Sequence, residues 1–262
     1  MGVELSPAVK DSLRIRRQPL KHIVVRSSPL LAQVRRAQQT LAPSRTAVQA
    51  PPCEITDALE ASGEQFRTEG WAFIEGFFND DFHRALVETW PSRAYFNPMT
   101  NIAKSYDFGF KWLRGEGEPA KLERFPVLKA AYDALRSDEL SRRITEYWAD
   151  GIERGPYSLT ASWATAGSAL APHKDGIAHD PQGSSFMNFV IFVDGTGGPT
   201  AGGTCIYGDA DYQDLKFEPQ NLRNTAIAYK SAAPYWHGFP PMRPKTFRWT
   251  INLQYAAVDY KP

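Results

Sequence analysis

The sequence has few cysteines: Cys53 and Cys205 are its whole complement in 262 residues, and they stand far apart. A disulfide framework or a cysteine-based zinc site needs cysteines in close-spaced sets, so neither organises this chain, and both thiols are expected to be unreactive, packed or partly exposed. Also missing is any run approaching the roughly 20 apolar residues that span a bilayer. The first residues lack the basic-then-apolar order of a secretory leader, which makes the cytoplasm the expected compartment. There is no repeat of solenoid or propeller period. Nor is there a recognised nucleic-acid module, so nucleic acid is not an expected partner.

What is present suffices for one core. With 42% hydrophobic and 23% charged residues, a chain of this length buries one sizeable domain without requiring a second. The formal net charge of +1 conceals a division: residues 1–50 carry nine Lys and Arg against two Asp and Glu, and the rest twenty-one against twenty-seven. Residues 1–52 therefore read as a basic, loosely ordered tail ended by Pro51-Pro52, and 53–262 as the folded domain. Arg clusters (Arg14, Arg16, Arg17, Arg35, Arg36) beside apolar patches such as Ile23-Val24-Val25 also give the tail the character of an arm for a membrane surface or a carrier protein.

Periodicity divides the domain. Residues 55–67 read as a helix and 71–78 as a strand. A second helix follows, capped by Asp80 or Asp81, with Phe82, Leu86 and Trp90 at helical spacing. Two more helical stretches occupy 125–150, split near Ser137-Asp138, so 53–150 is expected to be mainly helical. The aromatic-rich segment 95–117 reads as a surface loop anchored by core aromatics, or as a lid. From Tyr157 the pattern changes to short β-rich runs at 157–166, 185–193, 203–207, 225–229 and 247–256, the signature of an antiparallel sandwich or jelly roll with helices packed on one sheet. In 247–255 every odd position is large and apolar while the even ones include Arg248, Thr250 and Asn252. Those three share a face that is either solvated or the lining of a polar cavity.

One cluster carries chemistry. In Pro172-His173-Lys174-Asp175 an imidazole and a carboxylate at i and i+2 lie on one side of an extended chain, with Lys174 directed away. A second imidazole arrives at His237, just before a Pro-rich turn and the final strand. Two His and one carboxylate form the facial set that leaves iron(II) with open positions for substrate and oxygen. His-x-Asp alone is equally a loop ion pair. The order is far more specific: His-x-Asp, a strand, a Gly202-Gly203 turn, another strand, a lone His, and Arg248 eleven residues later. His179 and Asp180 are weaker alternatives as ligands, as are Lys230, Arg243 and Lys245 as alternatives to Arg248; His22 and His83 read as structural or exposed.

On these residues the sequence resembles the iron(II)/2-oxoglutarate-dependent dioxygenase superfamily, and looks closest to its prolyl-4-hydroxylase-like branch. The resemblance spans about 155–257 and rests on His173-Lys174-Asp175, on 185–194 followed by Gly202-Gly203-Thr204, and on His237-Gly238 with Arg248-Trp249-Thr250. It implies a mainly β fold with flanking helices around a double-stranded β-helix, a cupin-like jelly roll, with a helical part at 53–150 and the core at 155–257. It further implies Fe(2+) on His173, Asp175 and His237, 2-oxoglutarate as co-substrate with its distal carboxylate on Arg248, and O2 as oxidant. Thr250 is expected to add a hydroxyl to that carboxylate. In that branch tyrosines often contact the co-substrate, and the positions aligned here carry Trp163 and Phe192, so Trp163 and Asn188 are carried as further cofactor contacts, with Ser162 and Asn252 as substitutes. Hydroxylation of a small molecule, sugar or peptidyl residue, with succinate and CO2 as co-products, is the implied reaction. Two other classes stay open at this point: a cupin-like metal enzyme without 2-oxoglutarate, and a non-catalytic jelly-roll binding module.

Overall fold

The computed structural model describes residues 49–100, 104–148, 155–175, 186–230 and 235–256. The basic tail up to residue 48 lies outside them, as does the segment with His179 and Asp180.

Helices α1 (Ala58–Ala61) and α2 (Gly63–Glu69) replace the single helix expected over 55–67. Just past the junction a Cβ on Gly63 would sit 2.4 Å from the carbonyl oxygen of Tyr147, so only glycine permits that approach. Strand β1 (Trp71–Glu75) stops before the expected Phe78, at the left-handed Gly76. Helix α3 (Asp80–Thr89) takes Asn79 as its N-cap, not Asp80 or Asp81. Those two acids occupy the first turn instead, where they favour the helix dipole. Helices α4 (Pro126–Leu135) and α5 (Asp138–Tyr147) divide where expected, with proline opening α4 and the Ser137 hydroxyl accepting from Leu140 N at 3.1 Å to cap α5.

The segment 95–117 is neither lid nor surface loop. It holds β2 (Asn97–Thr100) and the ten-residue β3 (Lys104–Leu113), which pairs with two neighbours inside the sheet. Its pattern was obscured because a bulge interrupts the alternation. The remaining strands are β4 (Ser158–Thr165), β5 (Ala169–His173), β6 (Phe186–Gly195), β7 (Cys205–Tyr207), β8 (Leu215–Phe217), β9 (Thr225–Lys230), β10 (Trp236–Phe239) and β11 (Phe247–Ala256). Four of them, β5, β7, β8 and β10, are too short to carry a periodic signal by themselves.

Hydrogen bonding runs β1-β9-β6-β11-β4-β3-β5-β10-β7-β8, with β2 on the edge of β3. β3 pairs with β4 through Asp107–Leu113 and with β5 through Lys104 and Ser105, so the sheet folds over along it. This makes two facing walls, β1-β9-β6-β11-β4 and β5-β10-β7-β8, the arrangement of a jelly roll. The helices cover the outer side of the first wall: Trp148 packs on Phe66 and Phe189, and Trp90 stacks on Trp249. His83 is structural, its Nε2 2.8 Å from the Val193 carbonyl oxygen. Burial pushes both thiols up to about 12, in keeping with unreactive cysteines. Phe82 is fully buried in α3 beside Phe78, so Phe82→Ala is expected to cost about 3–5 kcal/mol in a chemical-denaturation experiment.

Candidate metal and dicarboxylate site

Strand pairing builds the site. His173 ends β5 and lies directly opposite His237 of β10, which puts both imidazoles on the inner side with ring centroids 4.2 Å apart. Gly238 makes this possible, because a Cβ there would meet the Leu170 carbonyl oxygen at 2.5 Å. Asp175, two residues past His173, returns to the same side: its Oδ1 lies 3.3 Å from His173 Nε2 and its Oδ2 3.3 Å from His237 Nε2. The three potential ligand atoms all fall within 4.8 Å of one another, and no other such group occurs among the described residues. Lys174 points away, its ammonium 4.9 Å over the Trp236 ring.

Hydrogen bonds and burial act on all three groups. His173 Nδ1 lies 2.9 Å from the Ala171 carbonyl oxygen, a contact that orients the ring. Burial lowers the pKa of His237, outweighing the Asp175 carboxylate that would raise it. Burial alone would raise the Asp175 pKa, but hydrogen bonds with the two imidazoles override it and hold the carboxyl well below its usual range. Asn188 Nδ2 donates to Asp175 Oδ2, and the Tyr229 phenol is hydrogen-bonded to Asn188 in turn. Two imidazoles beside an ionised carboxylate are the donor set a divalent first-row metal takes.

The cluster opens on a cavity of about 270 Å³ between the walls. Arg248 projects into it from β11, 3% exposed, with its guanidinium 4.0 Å over the Phe239 ring. Its Nη1 donates to the Gly202 carbonyl and to Thr204 Oγ1 at 3.2 Å, while its Nε has no partner among the described residues. Burial pushes its pKa down to about 10, so it stays charged at neutral pH. The structure records no carboxylate against it among the described residues. A buried cation without a counter-ion is costly, and an anionic ligand removes the cost.

The other candidates for this role lie elsewhere. Lys230 sits over Phe66 and Arg243 donates to the Gly197 carbonyl, both away from the cavity, and Lys245 is exposed. Thr250 shares the Arg248 face and is fully buried, but its hydroxyl is taken by Ser162 and it does not line the cavity. Trp163 requires a correction. It pairs with Trp249, so it lies on the outer side of the sheet, where its ring packs on Trp249 and Phe96. Asn188 and Asn252 do line the cavity.

Among the lining residues that escaped sequence reasoning are two tyrosines, Tyr106 of β3 and Tyr229 of β9. The Tyr229 ring lies 4.3 Å from that of His237, and burial raises its pKa well above the ordinary value, so its hydroxyl keeps its proton. They supply phenols to a site where the aligned Trp163 and Phe192 have none. The run Thr225–Lys230 is apolar on both faces, so nothing in its own pattern marks Tyr229; only its position opposite Asn188 does.

Comparison with solved structures agrees with this architecture. A Pseudomonas putida prolyl-4-hydroxylase superposes with a TM-score of 0.55 at 16% identity, covering 76% of this chain and 98% of its own. A Trichoplax adhaerens prolyl hydroxylase in complex with a hypoxia-inducible-factor peptide gives 0.58 at 13% identity, with 77% and 90% covered. HygX from Streptomyces hygroscopicus, with nickel, 2-oxoglutarate and hygromycin B bound, gives 0.52 at 11% identity, with 77% and 88% covered. At these identities the likeness establishes a fold in common with these proteins. No family model matches the sequence, and no curated protein does.

Proposed function

We propose that this chain is a non-haem iron(II)- and 2-oxoglutarate-dependent oxygenase that hydroxylates a C–H bond of a small molecule, sugar or peptidyl residue, releasing succinate and CO2. The observation that carries the reading is the coexistence in one cavity of a His, Asp, His cluster and a buried Arg248 with no carboxylate against it.

His173, Asp175 and His237 hold the iron, which with 2-oxoglutarate and dioxygen supplies the oxidation of an unactivated C–H bond. The protein's own contribution is placement. Arg248 fixes the distal carboxylate of the co-substrate through its planar fork, and Thr204 and the Gly202 carbonyl fix Arg248. Asn188 orients Asp175, and Tyr106 and Tyr229 close the walls between metal and arginine. Asp175 is a ligating carboxylate, which favours hydroxylation over halogenation.

Anaerobic addition of iron(II) and 2-oxoglutarate tests this. The wild type is expected to develop the weak visible charge-transfer band of the chelate; iron bound without a band supports a cupin-like enzyme that does not use 2-oxoglutarate, and absence of iron binding sinks the enzyme reading. Asn188→Ala removes the hydrogen bond that orients Asp175, so an iron titration followed by this band is expected to show roughly 10–100-fold weaker metal binding.

A further inference from the structure

Strand β3 contains a strained step that faces this cavity. Lys104, Tyr106 and Phe108 line it, and regular alternation would next turn Phe110 inward and Lys111 outward. The register with β4 slips instead: Gly109 opposes Ala161 and Trp112 opposes Leu159, leaving Phe110 and Lys111 together against Thr160. Phe110 accordingly has φ 54°, a conformation rare for a bulky residue. It is held there. Its ring is 1% exposed and packs on Phe96 and Phe125, the Tyr132 hydroxyl donates to its carbonyl at 3.0 Å, and the Lys121 ammonium lies 4.6 Å over its face. One extra residue inverts the alternation beyond it, and Lys111 is thereby turned onto the cavity wall.

That wall is rich in donors. Lys111 shares it with Thr160 and Ser158 of β4 and Gln254 of β11. The Ser158 hydroxyl donates to Gln254 Oε1 at 2.7 Å, which leaves the Gln254 amide nitrogen as a further donor. Among the described lining residues the only carboxylate is Asp175, which both imidazoles share. In the loaded site iron(II) and 2-oxoglutarate cancel, as do Asp175 and Arg248, so Lys111 makes the described lining positive. From this geometry we infer that Lys111 binds an anionic group of the substrate, a carboxylate or a phosphate, and so determines which molecules present a C–H bond to the metal. The inference rests on the oxygenase reading of the same cavity. Backbone strain that turns one cation into a site is retained where the surrounding packing over-determines it, as the Phe110 contacts do here.

The test is calorimetry on the full chain loaded anaerobically with iron(II) and 2-oxoglutarate. The probes are matched pairs: N-acetyl amino acids against their primary amides, and sugar phosphates against the parent sugars. The charged member of at least one pair is expected to bind roughly tenfold tighter than its neutral partner. Which pair shows it separates a carboxylate from a phosphate ligand. Lys111→Gln is expected to erase the preference and Lys111→Arg to keep it. If Lys111→Gln does not fold, salt titration of the wild type reads the same charge: affinity for the charged member falls with ionic strength and that for the neutral member does not. Equal binding within every pair, no binding of any charged probe, or a preference that survives Lys111→Gln each overturns the inference while leaving the oxygenase reading intact. A wild type that fails to bind 2-oxoglutarate at the loading step overturns that reading and this inference with it.

Discussion

Asp175→Ala is expected to abolish both iron(II) retention and 2-oxoglutarate turnover. The carboxylate is the only negative charge among the described lining residues and lies 3.3 Å from the Nε2 atoms of both imidazoles. Without it the described lining presents to a divalent ion the two imidazoles and the cations Lys104, Lys111 and Arg248, a field that repels it. The loss is therefore expected to exceed the roughly 10–100-fold that removal of an orienting partner such as Asn188 costs. Iron content after gel filtration and the charge-transfer band read it together. Asp175→Glu keeps the charge but lengthens the arm between β5 and the cluster, and is expected to recover part of the iron binding and little turnover. A variant at Asp175 that retains iron as the wild type does would remove the carboxylate from the ligand set.

Arg248→Met is expected to separate stability from co-substrate binding. Among the described residues the guanidinium is buried with no acid partner, and a buried ion costs several kcal/mol of desolvation that an apolar side chain of similar size does not. Against this stand the lost bonds to the Gly202 carbonyl and Thr204 Oγ1. The ligand-free variant is accordingly expected to melt at or above the wild-type temperature. Adding 2-oxoglutarate with iron(II) stabilises the wild type by an amount that grows with ligand excess, about 2.7 kcal/mol at a hundredfold excess over the dissociation constant. The variant loses this shift, because truncating one partner of a buried charged pair costs about 2–5 kcal/mol of binding, roughly thirtyfold or more in affinity. An Arg248→Met protein with an unchanged 2-oxoglutarate shift would place the co-substrate carboxylate on another residue.

Much of this architecture was legible residue by residue. The strand 247–256 announced itself through strict alternation, and the structure sets its apolar positions against the helices and Arg248 against the cavity. The two helices split by Ser137 were readable because a cap and a proline mark their starts. The segment 95–117 was misread because aromatic residues on both faces of a bulged strand imitate a loop anchored to the core. Trp163 was misplaced for a related reason: a sequence position gives a strand neighbour but not a face until the register with β11 is known.

The linear order of residues determined the ingredients by itself: a His-x-Asp pair, a distant His, a later Arg, and β-rich runs able to form a jelly roll. These are local properties of type and spacing, which periodicity and side-chain chemistry express without long-range information. Only the tertiary structure decided which groups meet. The pairing of β5 with β10 sets His173 against His237, sixty-odd residues later, and the fold along β3 brings Tyr106 to the same cavity as Tyr229. Such contacts depend on register, and a one-residue slip exchanges the faces of a strand, as the bulge at Phe110 does for Lys111.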